Sequence, residues 1–135
     1  MTVKDRFKRA LIWPLALLTI IWLVFVLEQL TGSQWFVYGI APRKTFALRG
    51  IFTTPFLHGS WAHLLSNTPP FLVLMAMILF FSPRVATSVL LMIYFGTGVT
   101  MWLFADPESI LNAFRRTNYH IGTSSVVYGM ASFLA

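Results

Sequence analysis

The sequence contains no cysteine. That excludes disulfide cross-links and thiolate metal sites, and it leaves the redox compartment undefined. Charge is also scarce: 10% of the 135 residues are charged, against about 25% in an ordinary soluble domain. Acidic residues number 4 against 10 basic ones, a net charge of +6. What is abundant is apolar, with 57% hydrophobic residues and a mean hydropathy of +0.73. This composition describes an all-α integral membrane protein, a polytopic helical bundle formed by a single domain over residues 1–135. The basic residues lie beside apolar segments, so their partner is the lipid bilayer with its anionic surface, and no nucleic acid is expected.

Lys4, Arg6, Lys8 and Arg9 precede an apolar run from Ala10 to Leu27. The run is longer than the h-region of a secretory signal, and no Ala-x-Ala cleavage site follows it. It rises about 27 Å as a helix, enough to cross a hydrocarbon core of roughly 30 Å with slight thinning. Hydropathy places membrane helices at about 10–28, 51–81, 85–104 and 121–135. Residues 29–50 mix Trp35, Phe36, Tyr38 and Phe46 with Arg43, Lys44 and Arg49, a pairing of aromatics and cations suited to an interfacial loop. Pro69 and Pro70 are expected to kink or break the second helix just past Asn67. The fourth segment covers only about 22 Å before Ala135, so the domain is expected to be incomplete. Lys and Arg tie at five on each side of the membrane, and the dense N-terminal cluster then favours a cytoplasmic N-terminus.

Two groups of residues have the composition for chemistry. His58, His63 and Asn67 are polar in an otherwise apolar segment, which demands a bundle interior or a cavity rather than lipid. His63 and Asn67 are i, i+4 and share a helical face, whereas His58 lies about 140° around from His63. That spacing does not make a two-histidine metal site, and neither metal nor cofactor is expected. Hydrogen bonding between helices or a proton relay would equally use these residues. The second group is His120-Ile-Gly122-Thr-Ser124-Ser125-Val-Val-Tyr128-Gly129. Ser124 and Tyr128 share one face, while Ser125 and Gly129 form a small-xxx-small face for helix packing. Ser124 itself is open to two readings, a packing residue or a nucleophile beside the free N–H groups of a helix N-terminus.

His58-Gly-Ser-Trp-Ala-His63-Leu-Leu-Ser-Asn67 resembles the His-x4-His-x3-Asn pattern of the second helix in rhomboid intramembrane serine proteases. Gly122-Thr-Ser124-Ser125 with Tyr128 resembles that family's Gly-x-Ser-x motif on its fourth helix. The resemblance implies a rhomboid-like bundle with four of an expected six transmembrane helices present. Ser124 would be the nucleophile toward a transmembrane protein substrate. His63 and Asn67, with the Ser124 N–H, would form the oxyanion hole. Tyr128 would pack on the catalytic histidine's ring, His58 would be structural, and the first loop would be the family's lateral loop. Leu48-Arg49 stands where a Trp-Arg pair is usual. Three departures follow: Ser125 replaces a customary glycine, Pro69-Pro70 interrupts a plain apolar helix, and no histidine here matches the sixth-helix general base. A positioned base is typically worth 10²–10⁴-fold, so residues 1–135 alone are expected to be inactive. The alternatives are a catalytically inactive rhomboid-like protein that binds transmembrane helices, or a transporter fragment using the histidines.

Overall fold

The computed structural model describes residues 2–105 and 119–135. The segment between the expected helices 85–104 and 121–135 falls mostly on residues 106–118, so Asp106, Glu108, Arg115 and Arg116 lie outside the described residues.

The first helix, α1 (Val3–Thr31), opens with a capping box: the Asp5 amide donates to the Thr2 hydroxyl, and the Thr2 amide donates to the Asp5 carboxylate. It closes at Gly32, which takes the left-handed conformation at φ 63°, the usual glycine stop. Helix therefore starts seven residues before the apolar run, because the basic residues are good helix formers that continue the same rod. Its 29 residues rise about 43 Å, more than the roughly 30 Å hydrocarbon core, so its basic first turns have length to project from the core. Ala10, Pro14, Leu18, Ile21, Phe25 and Glu28 are its buried residues, a three-to-four-residue stripe along one face.

The segment expected as one helix over 51–81 is instead three pieces. A single α turn, α2 (Gly50–Thr53), runs into a 3-10 turn over Thr54–Phe56, and Leu57 is extended. The long helix α3 spans Trp61–Phe81. Two local features make the break. Pro55 has no donor for the preceding turn, and the Ser60 hydroxyl caps α3 by accepting from the His63 amide at 3.1 Å. Hydropathy alone runs through both signals. The break expected at Pro69-Pro70 does not occur: α3 is continuous through them. Two ladder bonds are missing there, but Leu64, Asn67, Phe71, Met75 and Ile78 form one buried stripe across the prolines. Packing of that stripe between α1 and α5 holds the helix together across the prolines. The indole N–H of Trp22 reaches the Thr68 hydroxyl at 3.2 Å, and Phe25 meets Trp61 edge-on at 4.8 Å.

After a turn at Ser82–Val85, α4 (Ala86–Phe104) and α5 (Ser124–Leu134) complete the described elements. Among the described residues three helices, α1, α3 and α4, are long and apolar enough to cross a membrane, and α5 is a shorter apolar helix of 11 residues. The protein is an integral membrane helical bundle. Close contacts fix α4 against its neighbours. A Cβ on Gly98 would stand 2.9 Å from Ile51, and one on Gly129 would stand 2.6 Å from Ile93, so α2 and α5 both press on α4 through glycine.

The first loop is tied down rather than free. Glu28 accepts from the Trp35 amide at 2.9 Å, Arg49 lies 5.0 Å above the Tyr38 ring, and the Trp102 indole donates to the Lys44 carbonyl at 3.0 Å. Phe36, Tyr38, Phe46 and Leu48 remain exposed on it, consistent with residues that lie at a membrane interface.

Candidate active site

Gly122 organises the site. Its φ of +105° is a backbone conformation that L side chains rarely adopt. A Cβ there would lie 2.6 Å from Cε1 and 2.7 Å from Nε2 of His63, and 3.6 Å from Nδ2 of Asn67. The two polar side chains from the first turns of α3 therefore close directly on the backbone that leads into α5. The i, i+4 spacing of His63 and Asn67 puts them on one face, and the absence of a side chain at 122 lets that face come close.

A buried threonine sets this approach. The Thr54 carbonyl accepts from the Gly122 amide at 3.0 Å. Its hydroxyl accepts from the Ile40 amide at 3.0 Å and donates to the His120 carbonyl at 3.1 Å. Ile40 and His120 also pair directly as an isolated antiparallel bridge, with the His120 amide 2.7 Å from the Ile40 carbonyl. Thr54 thus clamps the first loop to the segment entering α5. No motif in the sequence marks it. Its role comes from partners far along the chain.

Beyond Gly122, Thr123 is buried and Ser124 begins α5, partly buried and two residues from the His63 contact. Ser125 and Gly129 lie toward α4: Ser125 lines a cavity of about 380 Å³ with Ile93, Gly96 and Thr97. Tyr128, one turn past Ser124, is 74% exposed on the outer face of α5.

His58 is 2% exposed and packs its ring against that of His63, centroids 5.1 Å apart and planes at 62°. It precedes α3, outside the membrane-spanning helices. Burial, and then the neighbouring His63, push its pKa down from 6.5 to about 4, so His58 is neutral at ordinary pH. Among the described residues Nδ2 of Asn67 has no hydrogen-bond partner. Among the described residues, too, no three His, Cys, Asp or Glu side chains gather as a metal-binding group.

Arranged in this way, the site offers an imidazole and a carboxamide on one wall and a serine at the start of a helix on the other. Such a set can hold an oxyanion formed at the serine.

The Rhomboid domain family model matches residues 45–135, which includes α2 through α5 and both motifs. An uncharacterized protein of Mycobacterium tuberculosis (strain H37Rv) is 34% identical over 122 residues, covering 89% of this chain and 48% of the relative. One from Mycobacterium leprae is 34% identical over 136 residues, covering 98% of this chain and 53% of the relative. The chain spans about half the length of the curated relatives it matches. No solved structure matches it. With two motifs in order along the chain and brought face to face in space, and with the family model covering the segment that holds them, this chain belongs to the rhomboid family.

Proposed function

We propose that this chain supplies the nucleophile and the oxyanion-binding wall of an intramembrane serine endopeptidase that cleaves transmembrane substrates. The observation that carries this reading is the approach of His63 and Asn67 to Gly122, two residues before Ser124. In the reaction, Ser124 Oγ attacks the scissile carbonyl and its proton passes to a general base. Charge then collects on the former carbonyl oxygen. Donors for that oxygen are the His63 ring N–H, the Asn67 carboxamide and the Ser124 backbone N–H. The Asn67 Nδ2 donor is buried and unspent among the described residues, so it needs no bond broken before it binds the developing charge.

None of His58, His63 and His120 is assigned as the base. His58 is buried with lowered proton affinity, His63 closes on Gly122, and the His120 backbone is tied to Ile40. The base is assigned to a part of the protein outside residues 1–135, and the relatives are about twice as long as this chain. The reading puts the N-terminus on the cytoplasmic side, which its four closely spaced cations support.

The test is covalent labelling of the full-length protein by a fluorophosphonate. Wild-type protein takes the label and Ser124→Ala does not. Labelling that survives Ser124→Ala removes Ser124 as nucleophile. A folded wild-type protein that never labels instead supports the inactive, helix-binding reading.

A further inference from the structure

Among the described residues Arg43 is the one non-glycine residue with a positive φ, 57°. It sits in a turn over residues 41–44, which the Lys44 amide closes by donating to the Ala41 carbonyl at 3.2 Å. Pro42 stands second in that turn and Arg43 third, where a positive φ ordinarily calls for glycine or asparagine. A side chain held in this way persists only where its surroundings over-determine it. Those surroundings are the end of α4. The last carbonyls of a helix have no partner within it, and α4 has no basic residue in its last turn. Arg43 supplies both from outside. Its amide donates to the Trp102 carbonyl at 2.9 Å, and its guanidinium donates to the Leu103 carbonyl at 3.1 Å. The Trp102 indole returns a bond to the Lys44 carbonyl. A cation here also meets the negative pole of the helix dipole.

This cap stands close to the clamp at the candidate site. Ile40, Ala41 and Pro42 are all buried, and the proline ring fixes its own φ, so a shift at Arg43 passes to Ile40 with little slack. Ile40 exchanges both backbone bonds with His120, at 3.0 and 2.7 Å. Gly39 presses from the same side: a Cβ on it would stand 2.7 Å from the His120 carbonyl oxygen. Just past His120, Gly122 meets His63. We propose that Arg43 is a positioning residue for the candidate active site. By capping α4 it fixes Ile40, and through Ile40 the segment that brings Gly122 and Ser124 to His63. Its effect on the reaction rests on the protease reading above, whereas its effect on the segment does not.

Two measurements on the full-length protein in detergent test this, both made well below the thermal midpoint. One is hydrogen exchange at the amides of His120 and Gly122, and the other is the rate of fluorophosphonate labelling at Ser124. Arg43→Ala deletes the guanidinium bond. Exchange at both amides should rise about tenfold and labelling should slow about tenfold, the worth of one hydrogen bond from a charged donor. Amides between Leu64 and Ile78 in α3 should keep their wild-type rates, whereas a residue that only adds stability would move all of them together. Arg43→Lys keeps the cation with a shorter reach and should recover part of both effects. Should Arg43→Ala fail to fold, Arg43→Gly deletes the same bond and suits the backbone. Unchanged exchange at His120 and Gly122, equal acceleration throughout the protein, or wild-type labelling rates in a variant that labels overturns the proposal. A wild-type protein that never labels removes the protease reading, and exchange at His120 and Gly122 then decides on Arg43.

Discussion

His63 and Gly122 meet across the gap between α3 and α5 with no room for a methyl group: a Cβ on Gly122 would stand 2.6 Å from the imidazole Cε1. Gly122→Ala therefore faces two penalties at once, a collision with His63 and an unfavourable φ of +105°. The backbone term costs an L-residue roughly 1–2 kcal/mol, and displacement of reacting groups by about 1 Å can cost 10²-fold in rate. Fluorophosphonate labelling of Ser124 in the full-length Gly122→Ala protein should fall about 100-fold, with a lowered thermal midpoint.

Asn67→Ala removes a donor without removing the nucleophile. Loss of one oxyanion donor typically costs 10²–10³ in kcat. Cleavage of a transmembrane reporter should fall by that order while the thermal midpoint stays near wild type, because Nδ2 of Asn67 has no partner to lose among the described residues. A large fall in the midpoint with matched loss of activity would make Asn67 a structural residue.

Thr54→Val tests the clamp. The change keeps the shape and deletes the hydroxyl that joins Ile40 to His120. The Ile40 amide and the His120 carbonyl keep each other at 3.0 Å, so the loss is that of two hydrogen bonds, about 0.5–1.5 kcal/mol each. Thermal unfolding in detergent should report that loss, labelling of Ser124 should slow with it, and Thr54→Ser should restore both.

Glycines of α4 and α5 should separate cleanly. Gly129→Val puts a branched side chain where Ile93 already lies 2.6 Å from the Cβ position, an overpacking worth typically 1–3 kcal/mol. Gly96 has nothing within 4 Å of its Cβ position, so Gly96→Ala should leave the thermal midpoint at or slightly above wild type. Comparing the two midpoints checks both statements.

His58 makes stability depend on acid. Its pKa in the folded protein is about 4, below the 6.5 of an unperturbed imidazole. Between those values the unfolded chain binds more protons than the folded one, so stability rises with pH. Its contribution is fully present above about pH 6.5 and is lost progressively as the pH falls toward 4. Thermal midpoints measured from pH 7.5 down to 4.5 should decline, and His58→Leu should flatten that decline.

Much of this was legible in the sequence, for identifiable reasons. Apolar runs with basic flanks announce α1, α3 and α4, because lipid imposes a length and a composition that soluble folds do not. The His63/Asn67 face and the Gly122–Ser124 segment are set by fixed spacings that survive without any knowledge of packing. Other features were hidden. The start of α3 was masked because Pro55 and Ser60 sit inside a hydrophobic average. The continuity through Pro69-Pro70 depends on a stripe from Leu64 to Ile78 whose partners on α1 and α5 lie far away in sequence. Thr54 looks like any threonine beside a proline until Ile40 and His120 are placed on either side of it.

The pairing of Ile40 with His120, clamped by Thr54, also sets an order of events. Thr54 and His120 are 66 residues apart, so their bond closes a long loop and must follow the formation of local helices, whose contacts need no such closure. Helices α1, α3 and α4 can each form before this bond exists, whereas Gly122 meets His63 only when its own segment docks on Thr54 and Ile40. Mild denaturation should run this sequence backwards. Reactivity at Ser124 should disappear while the helical circular dichroism signal is still near its native value, making the site the last part to arrive and the first to leave.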